Sequence, residues 1–180
     1  MKKIIVLLCV CIGAVNVSAQ KFVTKSGSLK FEASVDSFEE VEAENKNSSA
    51  ILETSTGEFA VLTLMKGFRF KVALMEEHFN ENYAESDKFP KAIFKGKIEN
   101  FNVSELSSVP KTFKISGDLT IHGKVKKITI TAKISKSENK ISIQGSFDVE
   151  PEDFDIAIPK LVSKKIAEKV RITFNLPLIR

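Results

Sequence analysis

The sequence predicts an all-β fold, an antiparallel up-and-down barrel of about eight strands with one or two short helices. Three observations lead there. Apolar and polar residues alternate with period two along most of the chain. Turn residues interrupt the alternation at short intervals, so neighbouring strands should pair as hairpins. Only two stretches carry a helical period instead. Alternation of this kind describes a sheet wet on one face and apolar on the other. With so many strands, the apolar face must be buried by closure or by a second sheet. Short connections favour closure, and a two-sheet sandwich is the alternative.

The elements follow in order. Residues 1–19 read as a signal peptide. Lys2 and Lys3 form its positive start, Ile4 to Val15 its apolar stretch, and Val17-Ser18-Ala19 its small-residue cleavage site. Cleavage near Ala19 leaves residues 20–180 as one periplasmic or secreted domain. The apolar run is shorter than the roughly 20 residues a spanning helix needs. Cys9 and Cys11, the chain's 2 cysteines, both lie in the leader. Disulfides, thiol catalysis and cysteine-held zinc are thereby excluded from the domain.

A first strand carries Leu29, Phe31, Ala33 and Val35 on one face. Weaker strands fall near 40–44, 49–54, 58–64 and 67–72. Residues 72–84 predict an amphipathic helix flanking a barrel mouth, with Met75, Phe79 and Tyr83 on one stripe. Ala92, Phe94, Gly96 and Ile98 mark the next strand, and 100–110 a longer loop. The clearest alternation is Phe113, Ile115, Gly117, Leu119, Ile121, then Ile128, Ile130, Ala132, Ile134, then Ile141, Ile143, Gly145, Phe147. Pro159 should start a short helix over 160–167. Val170, Ile172, Phe174 and Leu176 close the series. Ser26-Gly27, His122-Gly123 and Glu138-Asn139 read as turns.

Charge says little. The chain has 27 basic and 23 acidic residues. Without Lys2 and Lys3 the net charge is +2. No basic stripe interleaved with aromatics points to nucleic acid. Two lysine clusters, Lys124, Lys126, Lys127 and Lys160, Lys164, Lys165, Lys169, suit a solvated face or transient contact with a membrane surface. Chemistry-bearing residues are sparse, with 2 histidines and 1 tyrosine. Nothing in the spacing of His78 and His122 argues for a metal, and no cofactor is expected beyond a bound lipid. Glu152 and Asp153 read as a solvated loop, so the chain is not expected to be an enzyme.

The informative feature is the inward face. It is apolar, yet interrupted by Gly96, Gly117, Gly145, Ala33, Ala92 and Ala132, which either leave volume for a ligand or mark bends. The candidate ligand-binding set is therefore Phe31, Phe94, Gly96, Phe113, Ile115, Gly117, Leu119, Ile130, Ile143, Gly145, Phe147, Ile172 and Phe174 from strands. Met75, His78 and Phe79 join from the helix, His78 as packing residue or head-group contact.

Three segments also carry a resemblance. Gly117-Asp118-Leu119-Thr120-Ile121-His122-Gly123, Phe89-Pro90-Lys91-Ala92-Ile93-Phe94-Lys95-Gly96 and Asp153-Phe154-Asp155-Ile156 resemble motifs of the YceI-like family of bacterial periplasmic proteins. The likeness runs from about residue 22 to 178. It implies a lipocalin-like barrel with a long apolar tunnel binding polyisoprenoid, quinone-like or fatty-amide lipids. Two departures bear on the polar end of a ligand. Met75 to Tyr83 replaces the family's Asp-His-Leu stretch, and Glu152 stands where members often have arginine. The expected function is binding, storage or transport of such a lipid in the cell envelope. The alternative is a structural or stress-related envelope protein with a filled barrel that acts through protein contacts. A homodimer is compatible with either.

Overall fold

The structure, a computed structural model, describes residues 20–36 and 38–180. The leader read over residues 1–19 lies outside them. The strands are β1 (Lys21–Glu32), β2 (Glu42–Glu53), β3 (Glu58–Leu64), β4 (Arg69–Phe70), β5 (Lys91–Ile98), β6 (Lys111–Ile121), β7 (Lys124–Ser137), β8 (Lys140–Val149) and β9 (Val170–Ile179). Every pairing is antiparallel, and the order β1-β9-β8-β7-β6-β5-β3-β2 is closed by β1 pairing β2. Eight long strands thus form a barrel, with the two-residue β4 attached to Ala43 and Glu44 at the start of β2. Closure removes the exposed edges that an open sheet would leave.

Register follows the alternation. In β6, Ile115 and Leu119 are buried while Lys114 and Asp118 are exposed. A slip of one residue would reverse this and bury both charges. His122 and Gly123 both take positive φ (49° and 74°), the backbone of a tight hairpin turn. Glu138 likewise has φ 49° in the turn joining Ser137 to Lys140.

Ser26-Gly27 is not a turn, because β1 starts at Lys21 and runs through it. The register against β2 shifts on either side of Gly27, so the pair is a bulge. A Cβ at Gly27 would come 2.5 Å from the Leu176 side chain. The same bulge explains why 40–44 and 49–54 looked like two strands. The buried set of β2 is Ala43 and Asn45, then Ser48, Ala50 and Leu52, changing phase within one continuous strand. Residues 160–167 form turns rather than a helix. The Val162 and Ser163 amides donate to the Pro159 carbonyl, but the next bond runs from Lys165 to Val162 and no ladder follows.

The barrel has two unlike ends. At one, Phe22, Leu52, Ile98, Ile115, Ile134, Ile141, Ile143, Leu176 and Leu178 are completely enclosed. The 99–110 loop covers that end, with Phe101, Val103 and Leu106 packed on the core. The other end carries the 33–41 loop, β4, helix α1 (Ala73–His78), the His122-Gly123 hairpin and the long 150–169 connection.

Candidate functional site

At this second end the barrel holds an apolar cavity of about 320 Å³. One wall is an aromatic cluster. Phe31 of β1 stacks on Phe79 with ring centres 5.2 Å apart, and meets Phe68 at 5.3 Å and Phe70 at 5.5 Å. Each contact of this kind stabilises by about 0.5–1.5 kcal/mol beyond simple burial. Their positions have a local cause. Helix α1 places Met75 on the cavity wall, and its continuation into a wider turn over Phe79–Tyr83 brings Phe79 and Tyr83 there too. The alternating Phe68-Arg69-Phe70 sends both phenyl rings the same way.

The opposite wall is the 150–169 connection. Phe154, Ile156 and Ile158 alternate along it and face the cavity, followed by Val162, Lys165 and Ile166. A smaller cavity of about 50 Å³ lies deeper, among Phe59, Phe94, Ile130, Phe174 and Leu176. Leu29, Thr63, Ala92, Leu119 and Phe147 line both. Below it the barrel is filled, so the interior is a blind chamber rather than a tunnel.

Polar groups on the cavity wall are few: Lys30, Thr63, His78, Tyr83 and Lys165. The buried Thr63 hydroxyl donates to Ser48 Oγ at 2.9 Å, which commits it to the fold. Lys30 is held by Glu42, whose carboxylate lies 2.5 Å from its ammonium. That hydrogen bond raises Lys30 above the ordinary lysine range. Lys30 in turn, then Lys71, holds Glu42 below the ordinary glutamate range. His78 is exposed at the rim, and Lys165 forms no ion pair among the described residues.

His122 has a different task from His78. Its Nδ1 lies 3.1 Å from the Phe154 carbonyl, its Nε2 2.6 Å from Glu85, and Phe89 packs on its ring at 4.3 Å. It ties the β6–β7 hairpin to both walls of the mouth. Among the described residues no group of three His, Cys, Asp or Glu side chains is disposed to hold a metal.

Set against the candidate residues, Phe31, Met75, His78, Phe79, Leu119, Phe147 and Ile172 line the main cavity, and Phe94, Ile130 and Phe174 the deeper one. Phe113, Ile115 and Ile143 belong to the packed core and touch neither. The three glycines open no volume. A Cβ at Gly96 would meet the Ser116 carbonyl at 2.5 Å and the Phe94 ring at 2.8 Å. One at Gly145 would meet the Thr131 carbonyl at 2.6 Å and the Phe174 ring at 2.7 Å, and one at Gly117 would strike the backbone of Lys95 and Gly96. They serve strand approach, with phenyl rings filling the space above two of them. Ala33 and Ala92, also read as small inward residues, do line the cavity. Met65, Phe68, Phe70, Ala84 and the 154–166 wall also line the cavity, and the sequence alone does not single them out. The alternations Phe68-Phe70 and Phe154-Ile156-Ile158 were the available signal, too short to assign a face.

A model of the YceI-like domain matches residues 14–178. Among curated proteins none matches the chain. Solved structures share its fold at low identity. A polyisoprenoid binding domain from Saccharophagus degradans superposes with TM-score 0.78 at 15% identity, covering 89% of this chain and 98% of its own. BcnA of Burkholderia cenocepacia gives 0.68 at 16%, covering 83% and 95%. A Campylobacter jejuni YceI protein gives 0.64 at 16%, covering 79% and 86%.

Proposed function

Because the chain belongs to the YceI-like domain family, we propose that it binds one amphiphilic, lipid-like molecule, apolar part in the chamber and polar part at the mouth, without transforming it. The observation that carries this is the cavity of about 320 Å³, walled almost wholly by apolar side chains inside a closed barrel. Such a space is costly to leave hydrated, and it lies in the range of small-molecule sites. The Saccharophagus degradans relative is described as polyisoprenoid-binding, and an isoprenoid or other branched or linear hydrocarbon tail suits these walls. The blind floor limits entry to a short length of chain, roughly ten water-sized groups. A bacterial cell-envelope location fits the leader-like start of the sequence.

Binding without turnover is favoured by the polar inventory. Thr63 is spent on Ser48 and Lys30 on Glu42, which leaves His78, Tyr83 and Lys165 around the opening. These suit recognition of a head group. The rival reading, a filled barrel acting through its outer surface, needs an interior without this cavity.

The test is organic extraction of the purified protein followed by mass spectrometry, together with titration of an environment-sensitive alkyl fluorophore. The expected outcome is one equivalent of a co-purifying amphiphile, or saturable fluorophore binding abolished by filling the chamber. Empty extracts with no saturable fluorophore binding would sink the proposal.

A further inference from the structure

We propose that the turn segment from Pro159 to Ile166 docks the open mouth on an anionic lipid bilayer, with Leu161 entering the interface and Lys160 and Lys164 over lipid phosphates. This rests on the lipid-binding reading for its purpose, while the residues that carry it lie outside the cavity wall.

Leu161 is 91% exposed, the most solvent-laid large apolar side chain among the described residues. The turn explains why. The Val162 and Ser163 amides both close on the Pro159 carbonyl. This aims Val162 and Ile166 into the cavity wall and leaves Leu161 pointing away from it. One short segment therefore walls the chamber on its inner side and displays an unpartnered leucine on its outer side.

Its charge selects the partner. Residues 156–169 contain four lysines and one acid, Glu168. Lys169 pairs with Glu150 at 3.5 Å, and at the neighbouring hairpin Lys124 pairs with Asp155 at 2.5 Å and Lys126 with Asp153. Lys160, Lys164 and Lys165 have no carboxylate within 4.0 Å among the described residues. Across the rim, Glu77 and Glu81 are exposed acids without an ion partner among the described residues, while Glu76 is paired with Arg69 and Glu40 with Lys71. The unpaired positive charge at Pro159–Ile166 thus attracts an anionic surface to this side of the mouth. A leucine flanked by unpaired lysines complements a bilayer interface, where the side chain finds acyl chains and the ammonium groups find phosphates. Contact there presents the mouth to the surface in which an amphiphilic ligand resides.

Flotation of the purified protein with vesicles tests this. We expect binding to phosphatidylcholine vesicles containing phosphatidylglycerol, little to phosphatidylcholine alone, and release by salt. Leu161→Asn should weaken vesicle affinity roughly tenfold. Lys160→Gln with Lys164→Gln should weaken it roughly 25-fold. None of these residues lines the cavity, so fluorophore binding should persist in all variants. Fluorophore binding without vesicle binding overturns docking and leaves the chamber reading intact, as would be found if this face met a protein. Vesicle binding indifferent to phosphatidylglycerol, or unchanged in the variants, overturns it as well. Variant-sensitive vesicle binding with no fluorophore uptake supports docking while removing the chamber reading.

Discussion

The two ends of the barrel share strands, pairing and alternation, yet one is solid and the other hollow. At the solid end the inward positions carry Leu52, Ile98, Ile115, Ile134, Ile141 and Leu178, and the 99–110 loop lays Phe101 across them. At the hollow end Ala33, just past β1, and Ala92 of β5 are small, and the large groups sit on the covering segments as Phe68, Phe79 and Phe154. Volume inside a barrel therefore depends on whether a covering side chain reaches a small position. Phe94 and Phe174 reach Gly96 and Gly145, while no side chain fills the space beside Ala33 and Ala92. Packing at the solid end supplies stability. The hollow end forgoes some of it for capacity.

The strongest test of this contrast lies at the solid end. Leu52→Ala should cost about 3 kcal/mol in denaturant unfolding, since a fully enclosed leucine leaves a cavity that neighbours fill only in part. Fluorophore binding in the folded fraction should be unaltered. Gly117→Ala comes next. Its methyl would meet the backbone of Lys95 and Gly96, so a loss of about 2 kcal/mol is expected with capacity unchanged. If that variant instead keeps its stability and loses ligand, the glycines line the site after all.

Ala92→Leu acts the other way. It adds bulk where the two cavities meet and should reduce fluorophore affinity at least tenfold, about 1.4 kcal/mol, with little change in the unfolding midpoint. His122→Ala should cost about 1 kcal/mol by removing the bonds to Glu85 and Phe154. Hydrogen exchange should then quicken around residues 79–89 and 151–156 while the β6–β7 ladder stays protected. Uniform loss of protection would show the two ends to be one cooperative unit.

The smallest effect concerns the rim pair. Glu42 lies below the ordinary glutamate range through Lys30 and then Lys71. Its contribution is therefore complete above that range and is lost as pH falls through the depressed value. Parent and Glu42→Gln should differ slightly in midpoint near neutrality and converge in strong acid, with salt shrinking the gap.

By itself the sequence determined the strand faces and the hairpins. Side-chain direction alternates residue by residue, so Ile115 and Leu119 had to face one way and Lys114 and Asp118 the other. The left-handed turn at His122-Gly123 is likewise a local preference, legible in four or five residues. The bulge at Gly27 was not legible, because it exists only relative to the partner strand β2. Nor was the chamber. Glycine and alanine look alike as small inward residues, and only the closed barrel decides which has a phenyl ring above it. The walls from Phe68 to Phe79 and from Phe154 to Ile166 are distant in sequence. They meet across the mouth because the closed barrel brings their flanking strands to the same end, a long-range consequence that no local pattern encodes.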